Sequence, residues 1–175
     1  KRKKIMEQSA TIETAEHVLP GHPDKLCDAS VDAIVEFLRR HDPRAQCGLE
    51  MACVFDQAVI TGRIAANSET IDAFKALGGC RNFIRKAYSD AGYGFDRVDV
   101  KWTPLPEQLR ISEHLCLGPF AEEESELRHL SDDQAICVGY ACADPETNHL
   151  PPAVWLSPRI AGELFNLRGR LDWGE

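Results

Sequence analysis

The densest chemistry in the sequence lies in five consecutive residues, Gly21-His22-Pro23-Asp24-Lys25. They bring an imidazole, a carboxylate and an ammonium together. Cys27, Val31, Ile34 and Leu38 then recur at helical spacing until Asp42-Pro43. The group therefore stands at a helix start, where free backbone N–H groups and the aligned peptide dipoles favour an anion. One reading is a polyphosphate site in which His22 and Lys25 face the oxygens and Asp24 holds a bridging magnesium. The other is a turn in which Asp24 caps the helix and His22 is merely exposed. Spacing alone leaves both open.

The remaining reactive residues read more plainly. Cys27, Cys47, Cys53, Cys80, Cys116, Cys137 and Cys142 form no C-x-x-C pair, and several alternate with apolar residues. They read as reduced cysteines serving as small hydrophobes, which suits a cytosolic protein better than a secreted one. His114 and His149 have no partner at ligand spacing and read as surface histidines. Trp102, Trp155, Trp173 and Phe120 read as core or interface aromatics, and Glu122-Glu123-Glu124 as a solvated acidic face.

The elements that must position the loop follow from pattern. Residues 1–10 read as a polar tail, and Thr11–Val18 as a short strand ending in Leu19-Pro20-Gly21-His22-Pro23. Alternation from Ala45 to Ile64 predicts a hairpin turning at Asp56-Gln57. Ser68 opens a helix running to about Ala91 with a break at Gly78-Gly79. A turn at Gly92-Tyr93-Gly94 leads to a strand over Val98–Thr103. Three prolines and a run of acids make 104–133 a long mobile loop or lid. Gln134–Cys142 reads as strand and Pro151 to about Arg168 as helix. The class is α+β. The organisation is a tail over 1–10, a first domain over 11–103, the acidic lid, and the start of a second domain over 134–175.

Composition narrows the functions further. Hydrophobic residues make up 43% and charged residues 27% of 175, a globular mixture. A net charge of −8 argues against a nucleic-acid partner. No apolar run approaches the roughly 18 residues of a membrane span. Lys1-Arg2-Lys3-Lys4 leads into polar residues, so no secretory signal is expected and the cytoplasm is the expected location.

Several segments, in order, resemble the S-adenosylmethionine synthetases (methionine adenosyltransferases). Glu16-His17-Val18, Gly21-His22-Pro23-Asp24-Lys25-Leu26-Cys27-Asp28 and Ser30-Val31-Asp32-Ala33 are similar to that family's opening. The likeness continues through Asp42-Pro43, Glu50, Gly92-Tyr93, Gly94-Phe95-Asp96, Gln108, Asp133-Gln134, Gly139-Tyr140-Ala141, Glu146-Thr147 and Leu150-Pro151 to Gly169-Arg170-Leu171-Asp172-Trp173. The resemblance implies a mixed sheet with helices on one face. It also implies formation of S-adenosylmethionine from ATP and methionine: the sulfur attacks the ribose 5′ carbon and expels triphosphate, which is then hydrolysed.

Carried over by position, His22 and Lys25 would act at the triphosphate and Asp24 would bind Mg2+. Glu50 would sit where the family holds K+. Gln108 would lie in the closing loop, and Asp133 would contact substrate in a site built between subunits of a homo- or hetero-oligomer. Three local features depart from the family pattern, one being Gln108-Leu109-Arg110 in place of its Gln-Ser-Pro-Asp. Arg63 stands where the family has a glutamate that helps hold methionine, and Leu130-Ser131-Asp132-Asp133-Gln134-Ala135 lacks glycines the family carries there. The resemblance therefore supports two expectations. One is a synthetase portion completed by a second half; the other is a non-catalytic paralogue acting as a binding or regulatory subunit.

Overall fold

The computed structural model describes residues 12–94, 96–97, 100–101, 103–122, 124 and 136–167. They divide into two compact units, one over 20–136 and one that combines the segment before residue 20 with 137–173.

In the larger unit, helix α1 (Pro23–His41) begins where Pro23 removes an N–H that a first helical turn leaves unpaired anyway. Asp24 in the first turn and Arg39, Arg40 and His41 in the last complement the helix dipole. Its buried stripe is Leu26, Ser30, Ile34 and Leu38, with the Ser30 hydroxyl donating to the Leu26 carbonyl at 2.6 Å. Cys27 and Val31, expected on that stripe, lie beside it and stay half-buried. The helix stops at Asp42, a buried carboxylate that accepts from the backbone N–H groups of Arg44 and Asn67, both at 2.9 Å.

Strands β1 (Gln46–Val54) and β2 (Gln57–Ala65) form the expected hairpin, turning at Phe55-Asp56. Next come α2 (Ser68–Ala76) and α3 (Arg81–Ala91), separated by the Gly78-Gly79 break. Asn67 rather than Ser68 caps α2, its side chain accepting from Thr70 N at 2.8 Å. The break also needs glycine for its backbone: Gly79 has φ +64°, the left-handed region that a side chain disfavours. Two-residue strands β3 (Asp96–Arg97) and β4 (Val100–Lys101) pair with each other.

Strand β5 (Arg110–Gly118) pairs parallel with β2, giving a mixed sheet in the order β1-β2-β5. Residues 104–133 are therefore not one loop. A 3-10 turn at Pro106–Gln108 and nine residues of sheet occupy its first half. Prolines and acids hid an alternation that the sheet obeys: Ile111, Glu113, Leu115 and Leu117 turn toward the helices. The bidentate Arg110–Asp56 pair, at 2.8 and 2.9 Å, fixes the start of β5 beside the hairpin turn.

The sheet's inward rows meet α1, α2 and α3 around Ile34, Leu38, Ile60, Ile64, Phe74 and Ile84. Burial of such side chains, about 1.5–3 kcal/mol each, is the main force holding the unit together. The outward rows, including Glu50, Thr61 and His114 in register, are exposed.

In the smaller unit, residues 12–18 and 137–142 are irregular, as is residue 136 at the end of the larger one, so the strands expected over Thr11–Val18 and Gln134–Cys142 do not form among the described residues. Residues 142–150 instead make a compact turn, in which Asp144 Oδ1 accepts from Glu146 N and the Cys142 and His149 backbones bond at 2.8 Å. Helix α4 (Pro152–Leu167) follows as expected. Arg159 lies over the Trp155 ring at 3.8 Å.

Candidate functional site

The Gly21–Lys25 loop is held by side chains distant in sequence. The Tyr93 hydroxyl donates to the Gly21 carbonyl at 3.0 Å, and the Cys53 thiol faces the Pro23 carbonyl at 3.6 Å. Beneath them the Cys27 and Cys53 sulfurs are 3.7 Å apart. The Tyr88 and Tyr93 rings pack at 5.2 Å. Burial, followed by the Cys53 contact, pushes the Cys27 thiol up to about 12. The same two causes push the Tyr88 phenol well above its ordinary value. The floor of the loop is thus uncharged, which suits it to support rather than reaction. Tyr88 and Cys53 carry no spacing signal that would have marked them beforehand.

His22 is the N-cap of α1, and its Nδ1 accepts from the Asp24 backbone N–H at 3.2 Å. Its carbonyl accepts the first helical bond, from Leu26 N, at 2.9 Å. The structure therefore revises the second reading of the loop: His22, not Asp24, caps the helix. An Nδ1 that accepts must be unprotonated, so the neutral ring carries its hydrogen on Nε2. The Nε2–H is then a donor with no partner among the described residues.

The Asp24 side chain is 84% exposed, with its carboxylate 3.8 Å from His22 Nδ1. Lys25 is exposed and reaches Asp28 at 3.6 Å, so its ammonium already has a counter-charge. Imidazole and carboxylate are thus together as expected, while the lysine leans along the helix.

The other expected residues are placed as follows. Glu50 lies in β1, exposed, and lines a cavity of about 240 Å3 with Asp28 and Asp32. A neighbouring cavity of about 340 Å3 joins Asp24 to Met51 and Cys53. Gln108 ends the 3-10 turn ahead of β5, exposed, and is not part of a loop running on to residue 133. Asp133 falls outside the described residues.

Arg63 differs most from expectation. Its guanidinium grips Glu124 with two bonds, at 2.8 and 2.9 Å, and donates to the carbonyls of Ile64 at 2.8 Å and Pro119 at 2.7 Å. Glu124 also accepts from Ala121 N at 2.7 Å. The Arg63 bonds and then that backbone bond bring its carboxyl down to about 2. Arg63 is therefore a neutralised clamp, not an unmatched positive charge. Glu124, expected as part of a solvated face, is its counter-ion.

Comparison with known proteins agrees with this fold. Residues 10–111 match the N-terminal domain of S-adenosylmethionine synthetase. The chain is 32% identical to the S-adenosylmethionine synthase of Rhodospirillum centenum, over 96% of this chain and 42% of that protein. It is likewise 32% identical to that of Roseiflexus castenholzii, over 94% and 42%. Identity to that of Prochlorococcus marinus is 31%, over 90% and 38%. The chain thus spans about two fifths of the length of the curated relatives it matches. With more than half of its residues aligned to one domain family, the chain belongs to the S-adenosylmethionine synthetase family.

Proposed function

We propose that this chain is a synthetase portion whose Gly21–Lys25 loop receives the triphosphate of ATP. With the rest of the synthetase fold, it would form S-adenosylmethionine from ATP and methionine. The observation that carries this reading is the cap: because His22 Nδ1 is engaged by Asp24 N, a proton is held on Nε2 for an incoming oxygen. A sulfonium-forming displacement needs little acid–base work. It needs alignment, and compensation for negative charge on the leaving triphosphate.

Asp24 fits magnesium in the manner of phosphate sites, one free carboxylate with the remaining shell from phosphate oxygens and water. No group of three or more His, Cys, Asp or Glu that could hold a metal alone occurs among the described residues, so Mg2+ would arrive with the phosphate. When bound it neutralises leaving-group charge. Glu50 offers K+ one carboxylate, with the Thr61 hydroxyl beside it in register, and does not complete a shell by itself. Gln108 and Asp133 are proposed substrate contacts on the resemblance alone.

No helix among the described residues is long and apolar enough to cross a membrane. A cytoplasmic location and an oligomer with a synthetase-like subunit accord with the proposed reaction.

Calorimetric titration of magnesium tripolyphosphate tests the reading. Saturable binding that weakens about tenfold or more in His22→Ala supports it; equal affinity removes the loop from the site. The Arg63–Glu124 clamp favours a second reading, the non-catalytic paralogue, because the resemblance aligns Arg63 with the family's methionine-holding glutamate and here it is tied to Glu124 instead. That reading predicts tripolyphosphate binding without methionine binding under the same conditions.

A further inference from the structure

His22 is held at three points, and one of the three bonds comes from a distant part of the chain. The peptide plane after it is held where the His22 carbonyl accepts from Leu26 N at 2.9 Å. Its ring is held where Nδ1 accepts from Asp24 N at 3.2 Å. The plane before it, between Gly21 and His22, is held by the Tyr93 hydroxyl, which donates to the Gly21 carbonyl at 3.0 Å. The first two bonds are made inside the opening turn of α1. The third spans 72 residues and depends on a single side-chain oxygen.

A bond positions a group only if its own anchor is rigid. Tyr93 follows Gly92, the left-handed C-cap of α3 at φ 101°, and its N–H donates to the Tyr88 carbonyl at 3.0 Å. Its ring packs on that of Tyr88 at 5.2 Å, and Tyr88 is 2% exposed. Beyond it Gly94, at φ +79°, brings the chain against the buried Pro106. Burial and then Cys53 raise the Tyr93 phenol above its ordinary value, so the hydroxyl keeps its proton and remains a donor. Packing does not need that hydroxyl. The ring edge already lies beside Gly21, where a Cβ would meet Tyr93 Cε2 at 3.6 Å, and phenylalanine would fill the same place.

The held plane bears directly on the imidazole. It carries the His22 nitrogen, and peptide planarity makes it the frame from which the His22 side chain leaves the backbone. With φ −66° and ψ 140° fixed between two held planes, the ring meets Asp24 N through Nδ1 and its hydrogen goes to Nε2. With the first plane released, the ring is free to leave Asp24 N and to carry its hydrogen on either nitrogen.

We infer that Tyr93 is a positioning residue for His22: its hydroxyl fixes the Gly21 peptide and thereby aims Nε2–H at a phosphate oxygen. The inference rests on the triphosphate reading of the loop. It adds a residue that acts through the backbone rather than on the ligand.

The test compares the full chain with Tyr93→Phe, His22→Asn and the double variant. Nitrogen-15 spectra of the His22 ring at neutral pH report which nitrogen carries the hydrogen. Calorimetry with magnesium tripolyphosphate reports affinity, and a urea midpoint is recorded on each sample. The expected result is that Tyr93→Phe moves the His22 signals from the Nε2–H form toward a mixture of the two. Affinity then falls about fivefold, the worth of one hydrogen bond. In the His22→Asn background the same change costs no further affinity, because the two residues act as one unit. Parental ring signals or parental affinity in Tyr93→Phe overturns the inference, and a lowered midpoint beside parental affinity marks a purely structural hydroxyl. Equal losses in both backgrounds also overturn it, since Tyr93 would then act by a route other than His22. Parental affinity in His22→Asn itself removes the triphosphate reading, and this inference with it.

Discussion

His22 divides its work between two ring nitrogens. Nδ1 closes the first turn of α1 at 3.2 Å, and the proposed function gives Nε2 to the triphosphate. Loss of the cap in His22→Ala should lower stability by about 1 kcal/mol, measured by urea unfolding. His22→Asn keeps a capping acceptor and should stay within a few tenths of a kcal/mol of the parent. The thiols beneath the loop give a pH signature. Burial raises Cys27 and Cys80 from 9.0 to about 12 in the folded protein. A folded pKa above the unfolded one means that the stability these groups contribute is complete below pH 9 and is lost as pH rises toward 12. Urea midpoints should therefore fall across that alkaline window, with Cys27→Ala and Cys80→Ala removing part of the slope. At neutral pH, alkylation followed by mass spectrometry should mark exposed Cys116 and Cys137 before Cys27 and Cys80.

At the scale of elements, the sheet depends on close approach at one glycine. Gly62 has φ +137°, and a Cβ there would lie 2.1 Å from the Gly48 carbonyl oxygen of the paired strand. Gly62→Ala should cost about 3 kcal/mol or more, again by urea unfolding. The Arg63–Glu124 clamp ties the turn after β5 to the outward face of β2. With the Glu124 carboxyl held near 2, its contribution is present above the ordinary carboxylate range and is lost as pH falls toward 2. Glu124→Gln should speed amide exchange over Pro119–Glu124 at neutral pH while leaving β1 unchanged.

The elements differ in how far pattern alone revealed them. α1, the hairpin and the α2–α3 break were legible because helical spacing, alternation and paired glycines are local signals. β5 was not. Its alternate positions hold Arg110, Ser112, His114 and Cys116, which face out, and its inward row includes the acid Glu113. What makes it a strand is the parallel pairing with β2, a contact between segments about 50 residues apart in the chain.

For the whole molecule, the loop chemistry was legible as a residue set but not as a geometry. Proximity of His22, Asp24 and Lys25 follows from sequence adjacency. The cap made by His22, the Tyr93 bond to Gly21 and the Lys25–Asp28 pair come from the folded chain. Arg63 shows the opposite case: an arginine that the sequence shows only as a departure from a family glutamate is neutralised by a partner 61 residues away. Family membership and the capped loop meet in one claim, that Nε2 of His22 is the donor to a triphosphate. The measurement that tests it most directly is calorimetric titration of magnesium tripolyphosphate into His22→Asn, with the urea midpoint recorded on the same sample. The account predicts an unchanged midpoint and affinity weakened about tenfold or more; an unchanged midpoint with parental affinity would contradict it.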